Sequence, residues 1–199
     1  MSYKMKQLSP SVVENELKYI KYQDKIANWV LSKYRDETQL LPPQELQFIL
    51  PLVEEKVLNH NENLFLIASI LKIFRKQLNI NEEQEQHLAI VTINFVEKAQ
   101  QEQIEKISNP HAIAGKVLLW TQGEAVTANT VFRTILQSKT FVNSNYLENL
   151  ALWLASKQQE SNYLLTGEAL ELALKNACPS LTEIENKFLV RSLVYSLRS

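Results

Sequence analysis

The sequence is poor in glycine, aspartate and cysteine. Among 199 residues it has three glycines and one cysteine, and 20 of its 22 acidic residues are glutamate rather than aspartate. Scarce glycine and aspartate favour helix, because both residues compete with helical backbone geometry. The single cysteine, Cys178, cannot form a disulfide within the chain, and its apolar neighbours indicate a packed thiol.

Long apolar runs are missing as well. No uninterrupted apolar run approaches the roughly 18 residues that a membrane helix requires, so we expect no membrane span. The first ten residues carry positive charge, but no apolar segment and no cleavage site follow them. We therefore expect no secretion signal and place the protein in the reducing cytoplasm.

Catalytic and cofactor motifs are the third absence. Phosphate-binding loops need closely spaced glycines, whereas Gly115, Gly123 and Gly167 lie far apart. The three histidines and the cysteine lack the spacing of zinc ligands, and no histidine stands three residues after a glutamate as in di-iron bundles. We therefore expect no metal and no cofactor, and a binding protein rather than an enzyme.

Signals for helix starts, by contrast, are frequent. Four sites fit a capping box, in which a polar residue precedes the helix and Glu or Gln follows three positions later, and Asn109-Pro110 fits a cap before a first-turn proline. The four boxes are Ser11 with Glu14, Asn81 with Gln84, Asn145 with Glu148, and Thr182 with Glu185. Together with the apolar periodicity they predict helices near 10–36, 43–59, 62–79, 82–107, 110–121, 124–138, 144–158, 162–177 and 181–198.

The predicted fold is all-α, a multi-helix bundle or a stack of helical hairpins of about nine helices. Short connections favour antiparallel neighbours. We expect one helical domain over 1–199, with two subdomains at 1–107 and 110–199 as an alternative. A HEAT-like solenoid is the minority alternative for the whole chain. A small β-hairpin is the alternative for 116–136, where β-branched residues surround Gln122-Gly123.

Two predicted helical segments, 64–73 and 88–96, are apolar on nearly all sides and should form the core of the first half. Pro51 lies inside the second predicted helix, removes one backbone donor and predicts a kink or a break there. The side chains expected to be largely buried are Phe65, Ile67, Leu71, Phe74, Ile90, Ile93 and Phe95.

The first predicted helix contains the one positive indication of a binding site. Its basic residues Lys18, Lys21, Lys25 and Arg35 lie on one stripe, whose positions follow one another at three- and four-residue spacings. The stripe begins with Glu14 and has Asn28 and Ser32 between Lys25 and Arg35. Tyrosines and Trp29 lie among these bases, a composition typical of nucleic-acid binding, although an ordinary solvated face is the simpler interpretation. A neighbouring stripe, apolar apart from Asp24, is expected to dock on the protein: Val13, Leu17, Ile20, Ala27, Leu31 and Tyr34.

A helical protein without a catalytic constellation most often presents surfaces to other macromolecules. We therefore expect a non-enzymatic interaction or adaptor module whose partner is another protein. Nucleic-acid binding through the basic first helix is the first alternative. A small-ligand sensor or cofactor-free enzyme with an apolar pocket among the helices is the second.

The nucleic-acid alternative makes a quantitative prediction. If Lys18, Lys21, Lys25 and Arg35 contact phosphates, binding weakens as salt is added, because each neutralised phosphate releases condensed counterions. Four contacts give a slope of log affinity against log salt near about −3. Anisotropy titrations with a labelled single strand and a labelled duplex measure this slope, and absence of binding at tens of micromolar protein contradicts the hypothesis.

Overall fold

The computed structural model describes residues 9–102, 107, 109–139, 144–177 and 179–199, and Cys178 lies outside them. Within these ranges 75% of the residues are helical and no strand occurs, which confirms the all-α prediction. A short 3-10 turn over Ser161–Tyr163 precedes the eighth of the nine α-helices found there. These helices are α1 (Pro10–Leu31), α2 (Pro43–Val53), α3 (His60–Leu78), α4 (Glu82–Gln101), α5 (Pro110–Trp120), α6 (Ala125–Gln137), α7 (Ser144–Ala155), α8 (Gly167–Lys175) and α9 (Glu183–Arg198).

Side-chain caps begin four of these helices. Asn81 and Thr182 form the predicted capping boxes of α4 and α9, and Asn109 caps α5 by accepting a hydrogen bond from the Ala112 amide. Asn59 forms a further capping box, with Glu62 at the start of α3, that the sequence analysis missed. The box predicted at Ser11 is wrong, because α1 already begins at Pro10 and has no side-chain cap.

The first two helices end earlier than predicted. α1 stops at Leu31 because the Ser32 hydroxyl accepts hydrogen bonds from the amides of Arg35 and Asp36, and the intervening residues 33 and 34 have positive φ angles. α2 passes through Pro51 and ends two residues later at Val53, so no break occurs at the proline itself.

The central element of the bundle is α3, which packs against α1, α2, α4 and α5. Phe65, Leu66 and Ile70 lie on one side of α3, in an apolar cluster shared with α1 and α2. Ile67 and Leu71 lie on the other side, in a larger cluster with α4 to α9. These four helices are the ones that lie one and two positions from α3 along the chain. The packing is consistent with a helical bundle, and the HEAT-like solenoid alternative stays a prediction because stacked helical hairpins make the same contacts.

The segment 116–136 is helical, and the β-hairpin alternative for it is wrong. α5 and α6 are joined by a turn in which Gln122 and Gly123 have φ angles of 51° and 79°. A side chain at Gly123 would also meet Ile80, whose Cγ2 lies 2.3 Å from the position of a Cβ atom. Apolar contacts cross the proposed subdomain boundary, as where Phe95 stacks on Phe132, so the choice between one domain and two stays a prediction.

Whether a predicted core residue is buried depends on whether its side of the helix packs against a neighbouring helix. Phe65, Ile67, Leu71, Ile93 and Phe95 are buried as predicted, and Phe74 is half-buried. Ile90 is 59% exposed, so its predicted burial is wrong. The segment 88–96 of α4 is apolar on nearly all sides, but the helix packs through the side that carries Leu88, Thr92 and Phe95, and Ile90 points the opposite way.

Two isoleucines of α4 provide a matched test of this packing. Ile93→Ala should lower the free energy of unfolding by about 2 to 5 kcal/mol, because Ile93 is only 7% exposed and its truncation leaves a cavity. Ile90→Ala should change it by about 0.5 kcal/mol or less. Urea unfolding of the two variants measures the difference, and equal effects would show that α4 is rotated from the orientation described.

Candidate functional site

α1 docks on the rest of the protein through aromatic side chains. Tyr22, Ile26 and Trp29 are buried, and the rings of Tyr22 and Trp29 meet the ring of Phe65 edge-on at centroid distances of 5.9 and 5.4 Å. Because these three residues are four and three positions apart, they form one stripe along the helix. Trp29 also contacts Tyr34, which brings the turn after α1 back against the helix.

The apolar stripe that was predicted to dock faces solvent instead, and that prediction is wrong. Val13, Leu17, Ile20 and Leu31 are 42%, 56%, 52% and 80% exposed. At about 100° of rotation per residue they lie on the side of α1 opposite Tyr22, Ile26 and Trp29. The aromatic stripe docks in preference because its large rings bury more apolar area than aliphatic side chains do.

We define the outward stripe as Val13, Leu17, Ile20, Asp24, Ala27 and Leu31, all of which are exposed. Its members are spaced alternately by four and three residues, which is the spacing of a coiled-coil seam. Asp24 lies near the middle and makes no ion pair within the described residues. Tyr34 belongs to the turn after α1, so it is not a member of the helical stripe.

The basic stripe is partly neutralised within the chain. Lys18 forms an ion pair with Glu14 at 2.7 Å, and its ammonium group lies 4.1 Å from the centre of the Phe48 ring. Lys25 donates to a carboxylate oxygen of Glu45 at 2.6 Å, which ties α1 to α2. A phosphate that bound either lysine would therefore compete with a partner that the fold already supplies.

The other two bases of the stripe are exposed and separate from each other. Lys21 projects from the middle of α1 and makes no ion pair among the described residues. Arg35 lies in the turn beyond the end of α1, so the four bases do not form one continuous helical row. The structure brings Lys18, Lys21 and Lys25 together and leaves Arg35 outside their row.

These three lysines line a cleft of about 400 Å³ between α1 and α2. The buried side chains of Tyr22, Leu41 and Ile49 form its apolar part. The Tyr22 hydroxyl has no hydrogen-bond partner among the described residues, and burial raises the pKa of Tyr22 above its usual range, with a further contribution from the charge of Glu62. This cleft is where the small-ligand alternative would apply.

Comparison with family models, curated proteins and solved structures finds no match to this chain. Within the ranges that the structure describes, no three His, Cys, Asp or Glu side chains are grouped so that they could hold a metal ion. In those same ranges no helix has both the length and the apolar composition needed to cross a membrane.

A second cleft, of about 530 Å³, lies between α3 and α4 and contains Arg75. Arg75 bridges Glu37 at 3.0 Å and Glu85 at 2.8 Å, so carboxylates outnumber the guanidinium group. The hydrogen bond from Arg75 holds the pKa of Glu37 below its usual range. The arrangement ties the turn after α1 to α3 and α4, and its net charge does not favour an anionic ligand.

A buried polar network joins α3, α4 and α5. The Asn63 amide nitrogen donates to the Leu58 carbonyl at 3.2 Å and to the Gln100 side chain at 3.1 Å, which directs the Asn63 amide oxygen towards His111. His111 Nε2 donates to that oxygen at 3.0 Å. Burial lowers the pKa of His111 to about 4, so the imidazole is neutral at physiological pH. Sequence spacing alone indicated none of these partners.

α9 carries a second exposed apolar surface. Val190, Leu193, Val194 and Leu197 are exposed at helical spacing, while Glu185 at the start of the same helix is buried and accepts hydrogen bonds from Ser138 and Tyr146. The C-terminal helix is therefore fixed at its first turn and uncovered towards its end. Unlike the outward stripe, this surface has no charged residue among its four members.

The low pKa of His111 predicts how stability depends on pH. The unfolded chain protonates His111 near pH 6.5, but the folded chain does so only near pH 4. Between these values the proton binds the unfolded chain in preference, so the free energy of unfolding is highest above pH 6.5 and decreases as the pH falls towards 4. Stability should therefore fall by up to about 1.4 kcal/mol per pH unit more in the wild type than in His111→Gln. Urea unfolding across this range measures it, with the exposed His87→Gln as control. Parallel curves for wild type and His111→Gln would contradict the prediction.

Proposed function

We propose that the protein is an interaction module that binds a helix of a partner protein along the outward stripe of α1. The observation that supports it is the exposure of five apolar side chains on the side of α1 that faces away from the protein. The helix has 22 residues and is about 33 Å long, at 1.5 Å per residue. Five exposed apolar side chains aligned along one side of a helix are costly in water and typical of an interface.

The composition of the outward stripe indicates the chemistry of the partner. Its spacing fits a helix with apolar residues at the same alternating intervals, because knobs from one seam then fill holes in the other. Asp24 adds a requirement, since a carboxylate buried without a partner destabilises an interface. The expected partner helix therefore carries a lysine or arginine that reaches Asp24.

Nucleic-acid binding stays a prediction. The ion pairs of the lysines determine which substitutions can test it without disturbing the fold. Lys25→Glu would place a carboxylate against Glu45 and disturb the contact between α1 and α2. Lys21→Glu with Arg35→Glu is the cleaner double variant, because neither residue has an ion pair among those described. The small-ligand alternative is less favoured, because Lys18 and Lys25 in its cleft already have partners.

Site-specific photocrosslinking in the protein's own cells tests the proposed interaction. A photoreactive residue replaces Ile20 in the outward stripe, and a control chain carries it at Val126, which is 80% exposed on α6. We expect a discrete adduct from position 20 and none from position 126, because only the first position lies in the proposed interface. Adding Leu17→Glu should remove the adduct, since a charge in the apolar seam opposes burial.

Two results would contradict the proposed function. One is the same diffuse labelling from positions 20 and 126, which would show that exposure alone determines what is captured. The other is a position-20 adduct that persists with Leu17→Glu, which would place the contact outside the outward stripe. Far-UV circular dichroism of each purified chain controls for unfolding.

A further inference from the structure

Resting on the proposed function, we infer that the partner helix is α1 of a second copy of this chain, paired antiparallel along the outward stripe. The two copies then form a symmetric dimer around a two-fold axis that crosses the seam between the helices at the level of residue 22. This arrangement accounts for the charge at the centre of the stripe, which a general apolar surface would not need.

The spacing of the outward stripe reads the same in both directions. In an antiparallel pair centred at residue 22, Val13 of one copy faces Leu31 of the second, and Leu17 faces Ala27. Ile20 then faces Asp24, and each contact occurs twice because the two-fold axis repeats it. Four of the five apolar residues of the stripe therefore meet an apolar residue of the second copy, and Ile20 meets Asp24.

The charges near the axis are complementary in the same register. Lys21 and Asp24 are both exposed, and neither makes an ion pair within the part of the chain that is described. In the antiparallel pair, Lys21 of each copy flanks the seam beside Asp24 of the other. Two lysines and two aspartates then alternate around the axis, so the charge in the apolar stripe acquires the cation that it requires.

A parallel pair in the same register lacks this complementarity. It would place Asp24 against Asp24 of the second copy at the centre of the seam, where like charges repel and are partly desolvated. Antiparallel pairing also opposes the two helix dipoles, which is favourable at close approach. In either orientation the side of α1 that carries Tyr22 and Trp29 faces away from the seam, so the protein bodies lie on opposite sides of it.

Sedimentation equilibrium of the purified full chain tests the inference. We expect the mean mass to rise with concentration towards twice the chain mass of 23.0 kDa. Ile20→Glu should raise the dissociation constant by roughly tenfold or more, because it places a second carboxylate opposite Asp24. Leu31→Glu is a second disrupting variant at an 80% exposed position. Val126→Glu on α6 should leave the dissociation constant unchanged.

Exchanging the charges of Lys21 and Asp24 distinguishes the proposed register from nonspecific apolar association. Lys21→Glu and Asp24→Lys should each weaken the dimer by roughly tenfold, because each brings like charges together at the axis. The double variant Lys21→Glu/Asp24→Lys should restore dimerisation to near the wild-type value. Lys187→Glu, at an exposed position of α9, is the matched control and should have no effect.

Cysteine crosslinking determines the direction of pairing. Val13→Cys and Leu31→Cys are made in separate chains in which Cys178 is replaced by serine. Antiparallel pairing predicts a disulfide between the two kinds of chain when they are mixed, because the two positions then face each other. Parallel pairing predicts disulfides within each kind alone, and that result would overturn the inference.

Failure of the dimer and failure of the proposed function give different results. A chain that stays monomeric at all concentrations, or a double variant no better than the single ones, overturns self-pairing. If the position-20 adduct then has a mass other than twice that of the chain, the interaction function stands with a different partner. A dimer that neither Ile20→Glu nor Leu31→Glu weakens also overturns the inference, because its interface lies elsewhere.

Discussion

The structure depends on the enclosure of α3, a helix whose apolar side chains point in nearly every direction. Such a helix cannot have a solvent-facing side without exposing part of its core. α1 and α2 cover the side that carries Phe65, Leu66 and Ile70, while α4 and α5 cover the side with Ile67 and Leu71. The two apolar clusters meet at α3. If either pair of covering helices, α1 with α2 or α4 with α5, moves away from α3, the helix loses support that the opposite cluster also needs.

The way α1 covers α3 decides which surface the protein presents. α1 is apolar on two opposite sides, and only one of them can face α3. Tyr22 and Trp29 meet Phe65 edge-on, a geometry that favours aromatic pairs beyond their buried area, and this contact fixes the rotation of the helix. The outward stripe is exposed as a consequence of that rotation, and Lys25 with Glu45 holds the same orientation from α2.

Much of the fold was predictable because its signals are local. Capping residues and apolar period identify where a helix lies, and the boxes at Asn81 and Thr182 are found as predicted. The rotation of α1 was not predictable, since two stripes of the same period offer docking surfaces and only the position of Phe65 selects between them. The exposure of Ile90 was not predictable either, because the segment 88–96 is apolar on nearly all sides and its sequence does not show which side meets a neighbouring helix.

In the candidate site, the common stripe of Lys18, Lys21 and Lys25 was evident from the sequence. The pairing of Lys25 with Glu45 was not, because it depends on a contact between residues distant in sequence.

The first half of α1 has a thermodynamic consequence for binding. From Pro10 to Leu17 every residue is exposed, so these turns gain little stability from tertiary packing. Short helical segments without packing are marginal in water, and such turns open at low free-energy cost. A partner that covers Val13 and Leu17 would therefore stabilise helix as well as bury apolar surface. Part of the binding energy is spent on ordering these turns, which weakens affinity, enlarges the heat-capacity change of association and makes the complex sensitive to warming.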